Sequence, residues 1–234
     1  MVRIIGLTGG ISCGKSTLTE QLATLPGVRV IDLDALGHRV LDQRRRAVEA
    51  AFGSEVIDGG RVDRAKLGEL VFDDPVQLRK LNGITRPAIA RALFFALAYH
   101  LCIATPVVVL DAPLLFETGL HRVCAATIAV HVDEAEQLRR LRRRDGSSAP
   151  KAAARIRAQM SSAANAARAT VVVDNGGSVE ELIARSQRQL VPWLTRRSAV
   201  LNWHAVSLPG ALIIGIALRV LAGWLLRLRT LPTL

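Results

Sequence analysis

The sharpest chemical signal in this chain is Gly9-Gly10-Ile11-Ser12-Cys13-Gly14-Lys15-Ser16, followed by Thr17. The spacing is G-x-x-x-x-G-K-S, and an apolar run precedes it while a helical pattern follows, which is the setting of a phosphate-binding loop. Glycines let backbone N–H groups turn inward onto phosphate oxygens, and the helix N-terminus adds its partial positive charge. In that geometry Lys15 reaches the β- and γ-phosphates and the Ser16 hydroxyl ligates Mg²⁺. Gly9, Gly10, Ile11, Ser12, Cys13, Gly14, Lys15, Ser16 and Thr17 are therefore the candidate nucleotide-binding residues. A side chain that serves the ligand in this way is one the fold does not need, so Lys15 is expected to be dispensable for folding. Cys13 lies near a helix N-terminus, a position that lowers a thiol pKa, and it is expected to be oxidisable.

Carboxylates follow at the ends of apolar runs. Val30-Ile31-Asp32-Leu33-Asp34 places two acids two residues apart, on one face if the strand continues. Ligands in open α/β sheets sit beyond the carboxyl ends of strands. Asp34 is then placed to take a proton from an acceptor hydroxyl or to hold the metal. An N-cap for a helix from Leu36 is an equal alternative. Val107-Val-Val-Leu-Asp111 has the form of a strand whose terminal acid binds Mg²⁺. The loop that follows, Ala-Pro-Leu-Leu-Phe-Glu117, adds another carboxylate.

Positive charge is concentrated in Arg139-Arg140-Leu141-Arg142-Arg143-Arg144. A transferring phosphoryl group needs cations around its oxygens, and one or two of these arginines are expected to supply them near a mobile lid. The rest form a solvated face. The five histidines show no metal-ligand spacing.

The elements that must position these residues alternate between strand and helix. Strands are expected at 3–8, 28–32, 106–111, 126–132 and 170–174. Helices are expected from about 14 to 25, at 36–52, at 64–72, at 77–102 with a bend or break near Pro87, at 134–144, and from 178. A turn is expected at Asp58-Gly59-Gly60. Short β-branched strands separated by helices indicate an α/β fold with a five-stranded parallel sheet covered on both faces.

Composition agrees. The 234 residues carry 31 Lys and Arg against 20 Asp and Glu, a net charge of +11, which suits anionic partners. Aromatic residues are 4%, too few for base-stacking recognition of single-stranded nucleic acid, and no nucleic-acid reader motif is present. No Asn-Lys pair occurs, so the base reader of GTPases is missing. Cys13, Cys102 and Cys124 form no CxxC pair, which points to a reducing, intracellular compartment. Residues 206–226 are apolar apart from Ser207 and Arg219, about enough to cross a hydrocarbon core of roughly 30 Å. The expectation is a kinase domain over 1–204 facing the cytosol and a membrane-associated tail over 205–234.

Taken together, these stretches resemble the dephospho-coenzyme A kinase family. The matching pieces are IGLTGGISCGKST at 5–17, VIDLDALG at 30–37, VDRAKLGELVF at 62–72, LNGITRPAI at 81–89, VVVLDAPLLFETGL at 107–120, QLRRLRRRD at 137–145, RIRAQ at 155–159 and VVVDNGG at 171–177. The resemblance implies a P-loop kinase that phosphorylates the ribose 3′-hydroxyl of dephospho-coenzyme A with ATP and Mg²⁺. It implies Asp34 as general base, Lys15 and Arg140 as stabilisers of the transferring group, and Ser16 and Asp111 as metal ligands. Arg144, Asn175 and Gly176 fall on the nucleotide side, and Thr8, Asp34, Pro113 and Leu114 on the acceptor side. Residues 35–103 correspond to acceptor-binding helices and 145–165 to a lid. The chain departs from the family at Arg86-Pro87, commonly His-Pro, and at Ala169-Thr170, commonly Ala-Asp. Another small-molecule P-loop kinase, or a membrane-tethered nucleotide-binding protein without catalysis, remains as the alternative.

Overall fold

A computed structural model describes residues 2–72 and 74–195. Two compact units divide them: Met1–Ile31 with the described residues from His100 onward, and Asp32–Tyr99.

In the first unit, β1 (Arg3–Thr8) leads through the glycine-rich loop into α1 (Lys15–Ala23), and Gly27, at φ +77°, turns the chain into β2 (Val28–Asp32). The second unit carries α2 (Leu33–Gln43), α3 (Arg45–Phe52), the hairpin β3 (Ile57–Asp58) and β4 (Arg61–Val62), α4 (Arg64–Phe72), and most of α5 (Pro75–Cys102). The chain then returns through β5 (Val107–Asp111), β6 (Ala126–His131), α6 (Glu134–Asp145), α7 (Ala149–Arg157), α8 (Ser162–Arg168), β7 (Val171–Asp174) and α9 (Val179–Thr195).

The five-stranded parallel sheet has the order β2-β5-β1-β6-β7, with β1 in the centre. Leu7 registers with Asp111 on one side and with Ile128 on the other, so the carboxyl ends of the central strands lie level. Ile5, Leu7, Val109, Ile128 and Val130 are solvent-free and pack with Leu18, Leu22, Leu182 and Leu190 of the covering helices. Strands buried on both faces read as continuous apolar runs, which is why they stand out in the sequence. The helical unit has its own core, Val48, Phe52, Val56, Val62, Leu67 and Val71.

One expectation changes and three gain detail. The tract 36–52 is two helices, broken at Arg44 (φ −94°, ψ 11°), where Gln43 to Arg46 offer no apolar face to carry one helix through. Helix α5 runs unbroken through Pro87. The carbonyl that Pro87 leaves without an intrahelical donor belongs to Gly83, and both residues are exposed, so water can satisfy it. The Asp58-Gly59-Gly60 turn is a two-residue hairpin, with both glycines at positive φ. The lid segment 145–165 contains α7 and the start of α8, neither of which the apolar pattern reveals because both are rich in alanine.

Among the described residues, no helix is long and apolar enough to cross a membrane. The apolar segment 206–226 lies outside the described residues.

Candidate active site

The phosphate loop leaves β1 at Thr8 and enters α1 at Lys15. Gly14 sits at φ +89°, and a Cβ there would lie 2.1 Å from the Asn175 amide nitrogen. A Cβ on Gly10 would lie 2.6 Å from Gln137 Nε2. The loop is thus closely enclosed, and Gly14 is favoured by its left-handed φ as well as by its neighbour.

Lys15 Nζ is paired with Asp111 Oδ1, and Thr19 Oγ1 donates to Asp111 Oδ2 at 2.7 Å. Lys15 and Thr19 stand one helical turn apart on α1 and so reach the same carboxylate. Asp111 is 5% exposed, at the end of a strand buried along its length. Lys15 therefore has a protein partner, Asp111, as well as the phosphate-side role expected of it.

A cleft of about 600 Å³ opens beside the loop. Ser12, Gly14, Ser16 and Thr17 line one side, Arg139, Arg140, Arg143 and Arg144 of α6 another, and Asn175 and Gly177 a third. Within α6, Glu136 fixes two of these arginine side chains: its carboxylate accepts from Arg139 Nε and Arg140 Nε, each at 2.6 Å. Arg139 first and then Arg140 hold the Glu136 carboxyl down to about 2. Arg140 Nη2 also donates to the carbonyls of Asn175 (2.9 Å) and Gly177 (3.0 Å). Arg144 donates to Asp145, which Arg155 of α7 also engages; the Asp145 carboxyl is lowered to about 2, chiefly by Arg144.

Asn175 is buried, and its side chain donates to the Cys13 carbonyl at 2.8 Å. It braces the phosphate loop as well as edging the cleft. Gly176 is exposed next to it, and Gly177 is the glycine that lines the cleft. Ile11 is held at both ends of its backbone, its carbonyl by Gln137 (2.6 Å) and its N–H by Gln159 (3.1 Å). Burial pushes the Cys13 thiol up to about 11, against the expectation from the helix terminus; desolvation outweighs the opposing effects of Lys15 and the backbone donors.

The acceptor-side candidates divide. Thr8 is fully buried, and its hydroxyl donates to the Pro113 carbonyl at 3.0 Å, so it shapes the loop after β5. Leu114 is 42% exposed on that loop. In the other unit the strand ends at Asp32, which caps α2 by accepting from the Ala35 N–H at 2.9 Å. The period-two reading of the two acids fails because Leu33 is already helical. Asp34 stands in the first turn of α2 and is exposed, so the cap and the candidate base are different residues.

Thr170 is tied to Thr127 in both directions. Its Oγ1 accepts the Thr127 N–H at 3.1 Å while Thr127 Oγ1 accepts the Thr170 N–H at 3.1 Å. At Arg86, burial lowers the guanidinium pKa.

Sequence spacing misses Thr19, Gln137 and Gln159, whose partners are far away in the chain. Glu136 was legible as an i, i+4 partner of Arg140.

Strand, phosphate loop, helix, buried strand-end acid and arginine-lined cleft together define a P-loop phosphotransferase. Comparison with known proteins narrows the class. The model of the dephospho-CoA kinase family matches residues 3–181. A dephospho-CoA kinase of Geobacillus kaustophilus is 39% identical over 204 residues, covering 86% of this chain and 99% of the relative. One of Latilactobacillus sakei is 38% identical over 188 residues, covering 79% and 93%. A crystal structure from Thermus thermophilus superposes with a TM-score of 0.72 at 37% identity, covering 82% of this chain and 98% of that one. The chain belongs to the dephospho-CoA kinase family.

Proposed function

We propose that the chain transfers the γ-phosphoryl group of ATP to the ribose 3′-hydroxyl of dephospho-coenzyme A, forming coenzyme A and ADP. The observation that carries this reading is the family match over residues 3–181, which spans the phosphate loop and the arginine cleft.

On this reading the loop's N–H groups and Lys15 hold the phosphates. Lys15 exchanges its contact with Asp111 for the β- and γ-oxygens. Arg140, already fixed by Glu136 and two carbonyls, faces the charge that develops on the transferring group. Asp34 takes the proton of the acceptor hydroxyl. Residues 35–103 bind the acceptor, and 145–165 close over the nucleotide.

The donor chemistry suits Mg²⁺: Ser16, which lines the cleft, offers a hydroxyl oxygen, and Asp111, at the end of β5, offers a carboxylate. When bound, the ion neutralises charge on the β- and γ-phosphates.

Residues 206–226 support membrane association of the tail, on their sequence alone, with the kinase domain on the cytosolic side. Cutting the chain after His204 should then release an active kinase from the membrane fraction; a truncated form that aggregates instead overturns the anchor.

The activity is tested by ADP release with dephospho-coenzyme A as acceptor, followed by mass analysis of the product. Release that is independent of acceptor, or faster with a nucleoside monophosphate or a sugar acid, overturns the assignment.

A further inference from the structure

Ile11 is the one residue of the phosphate loop whose backbone is gripped by two distant side chains through both of its polar groups. Gln137 of α6 donates Nε2–H to the Ile11 carbonyl at 2.6 Å, and Gln159 accepts the Ile11 N–H on Oε1 at 3.1 Å. Gln137 is 3% exposed, so its amide has lost its water and depends on this partner. A Cβ on Gly10 would lie 2.6 Å from this Nε2, so a side chain there would have to displace the Gln137 amide.

The two glutamines come from segments with different duties. Helix α6 bears the arginines that line the cleft. Gln159 lies in the connection between α7 and α8, where the next residue, Met160, donates its N–H to Glu117 Oε1 at 3.1 Å. The Ile11 side chain packs against the small cluster of Leu141, Ala152 and Ile156, which joins α6 to α7. One residue of the loop thus meets both surrounding helices by packing and both glutamines by hydrogen bonds.

We propose that Gln137 and Gln159 are positioning residues that clamp Ile11, coupling the α7–α8 connection to the nucleotide-holding shape of the phosphate loop. This rests on reading that loop as the ATP site. When the connection stays in place, Ile11 is fixed and the loop's N–H groups keep their inward aim. When it moves away, Gln159 releases the Ile11 N–H and the loop loosens, which ties opening of this segment to release of ADP.

Chemical directionality gives the test. A backbone carbonyl must be donated to and a backbone N–H must donate, so Gln137 acts as a donor and Gln159 as an acceptor. The same substitution, Gln→Glu, therefore has opposite effects at the two sites. Gln137→Glu removes the donor and sets a carboxylate against the Ile11 carbonyl. Gln159→Glu keeps an acceptor for the Ile11 N–H.

ATP affinity is measured by direct titration and KM for ATP and for dephospho-coenzyme A by ADP release, all on the full chain. Gln137→Glu is expected to weaken ATP binding about tenfold or more, Gln159→Met about tenfold, and Gln159→Glu less than about threefold. KM for dephospho-coenzyme A should stay unchanged. Exchange of the Ile11 amide hydrogen should accelerate in Gln159→Met and remain slow in Gln159→Glu. Equal losses from both Glu variants would assign the effect to added negative charge and overturn the clamp. Lowered thermal stability with unchanged ATP affinity would make the glutamines packing residues only. If Gln137→Glu does not fold, Gln137→Met carries the same expectation, and unchanged ATP affinity in it overturns the proposal. The titration needs no acceptor, so a protein that binds ATP but fails to phosphorylate dephospho-coenzyme A overturns the activity and still tests the clamp.

Discussion

Replacing Lys15 with Met should damage the protein in two separable ways. The Lys15 side chain is 17% exposed and its partner Asp111 is 6% exposed, so the pair is largely removed from water. Taking one partner from a buried pair costs about 3–5 kcal/mol, because the remaining charge is stranded. Here Thr19 still donates to Asp111 at 2.7 Å, which offsets part of that cost. A loss of about 2–3 kcal/mol for the ligand-free protein follows, seen as a melting temperature lower by roughly 5–10 °C for a domain of this size. Separately, loss of a charged donor at the transferring phosphoryl group should lower kcat by about 10²–10³-fold. The double variant Lys15→Met with Asp111→Asn removes the stranded charge. It should regain most of the melting temperature and none of the activity. Calorimetry and steady-state ADP release read the two effects independently. Activity of the single variant within threefold of the parent would refute the role at the phosphates. A double variant no more stable than the single one would refute the pairing account.

Asp34→Asn should lower kcat by roughly 10²–10⁴-fold with ATP affinity retained, the loss typical of a general base. Asp32→Ala should instead cost about 1 kcal/mol of stability through the lost cap, read by urea unfolding. Exposed Cys102 should be alkylated by iodoacetamide at pH 8 while buried Cys13, its thiol pushed up to about 11, stays unmodified by mass analysis; fast labelling of Cys13 would contradict its burial. Glu136 is held at about 2 from an ordinary 4.5, so its contribution is complete above about 4.5 and is lost as pH falls toward 2. Urea midpoints of the parent should therefore fall more steeply over that window than those of Glu136→Gln, and parallel profiles would refute the ion pair.

The parts of the fold that could be read in advance are those where local pattern and tertiary demand agree. Val107 to Asp111 is apolar because both faces of β5 are covered, and Gly14 is glycine because the loop turns left-handed there. The P-loop motif states its own geometry. Where a residue's role depends on a partner far along the chain, the sequence is silent. Nothing in the spacing of Gln159 or Thr19 points to Ile11 or Asp111, which lie 148 and 92 positions away. Local reading also misjudged competing effects. Cys13 sits at a helix N-terminus as expected, yet desolvation dominates its thiol. Asp32 and Asp34 look alike in the sequence, and only the point where β2 ends separates the capping acid from the other.

The arrangement around Arg140 shows why the phosphate motif alone does not make the site. A guanidinium has five N–H donors in a fixed plane. In Arg140 the Nε donor meets Glu136 and Nη2 meets the carbonyls of Asn175 and Gly177, so three of the five donors are committed to the protein and Nη1 is left to face the cleft side. Those carbonyls belong to the loop after β7, whose Asn175 side chain in turn holds Cys13 of the phosphate loop. Asn175 therefore ties the cation to the phosphate cradle, alongside the Gln137–Ile11 contact. A lysine could replace the charge but not this planar anchoring. Donors set in place beforehand cost no reorganisation when charge builds up on the transferring group, and that is the condition under which an electrostatic contact favours the transition state over the bound substrate.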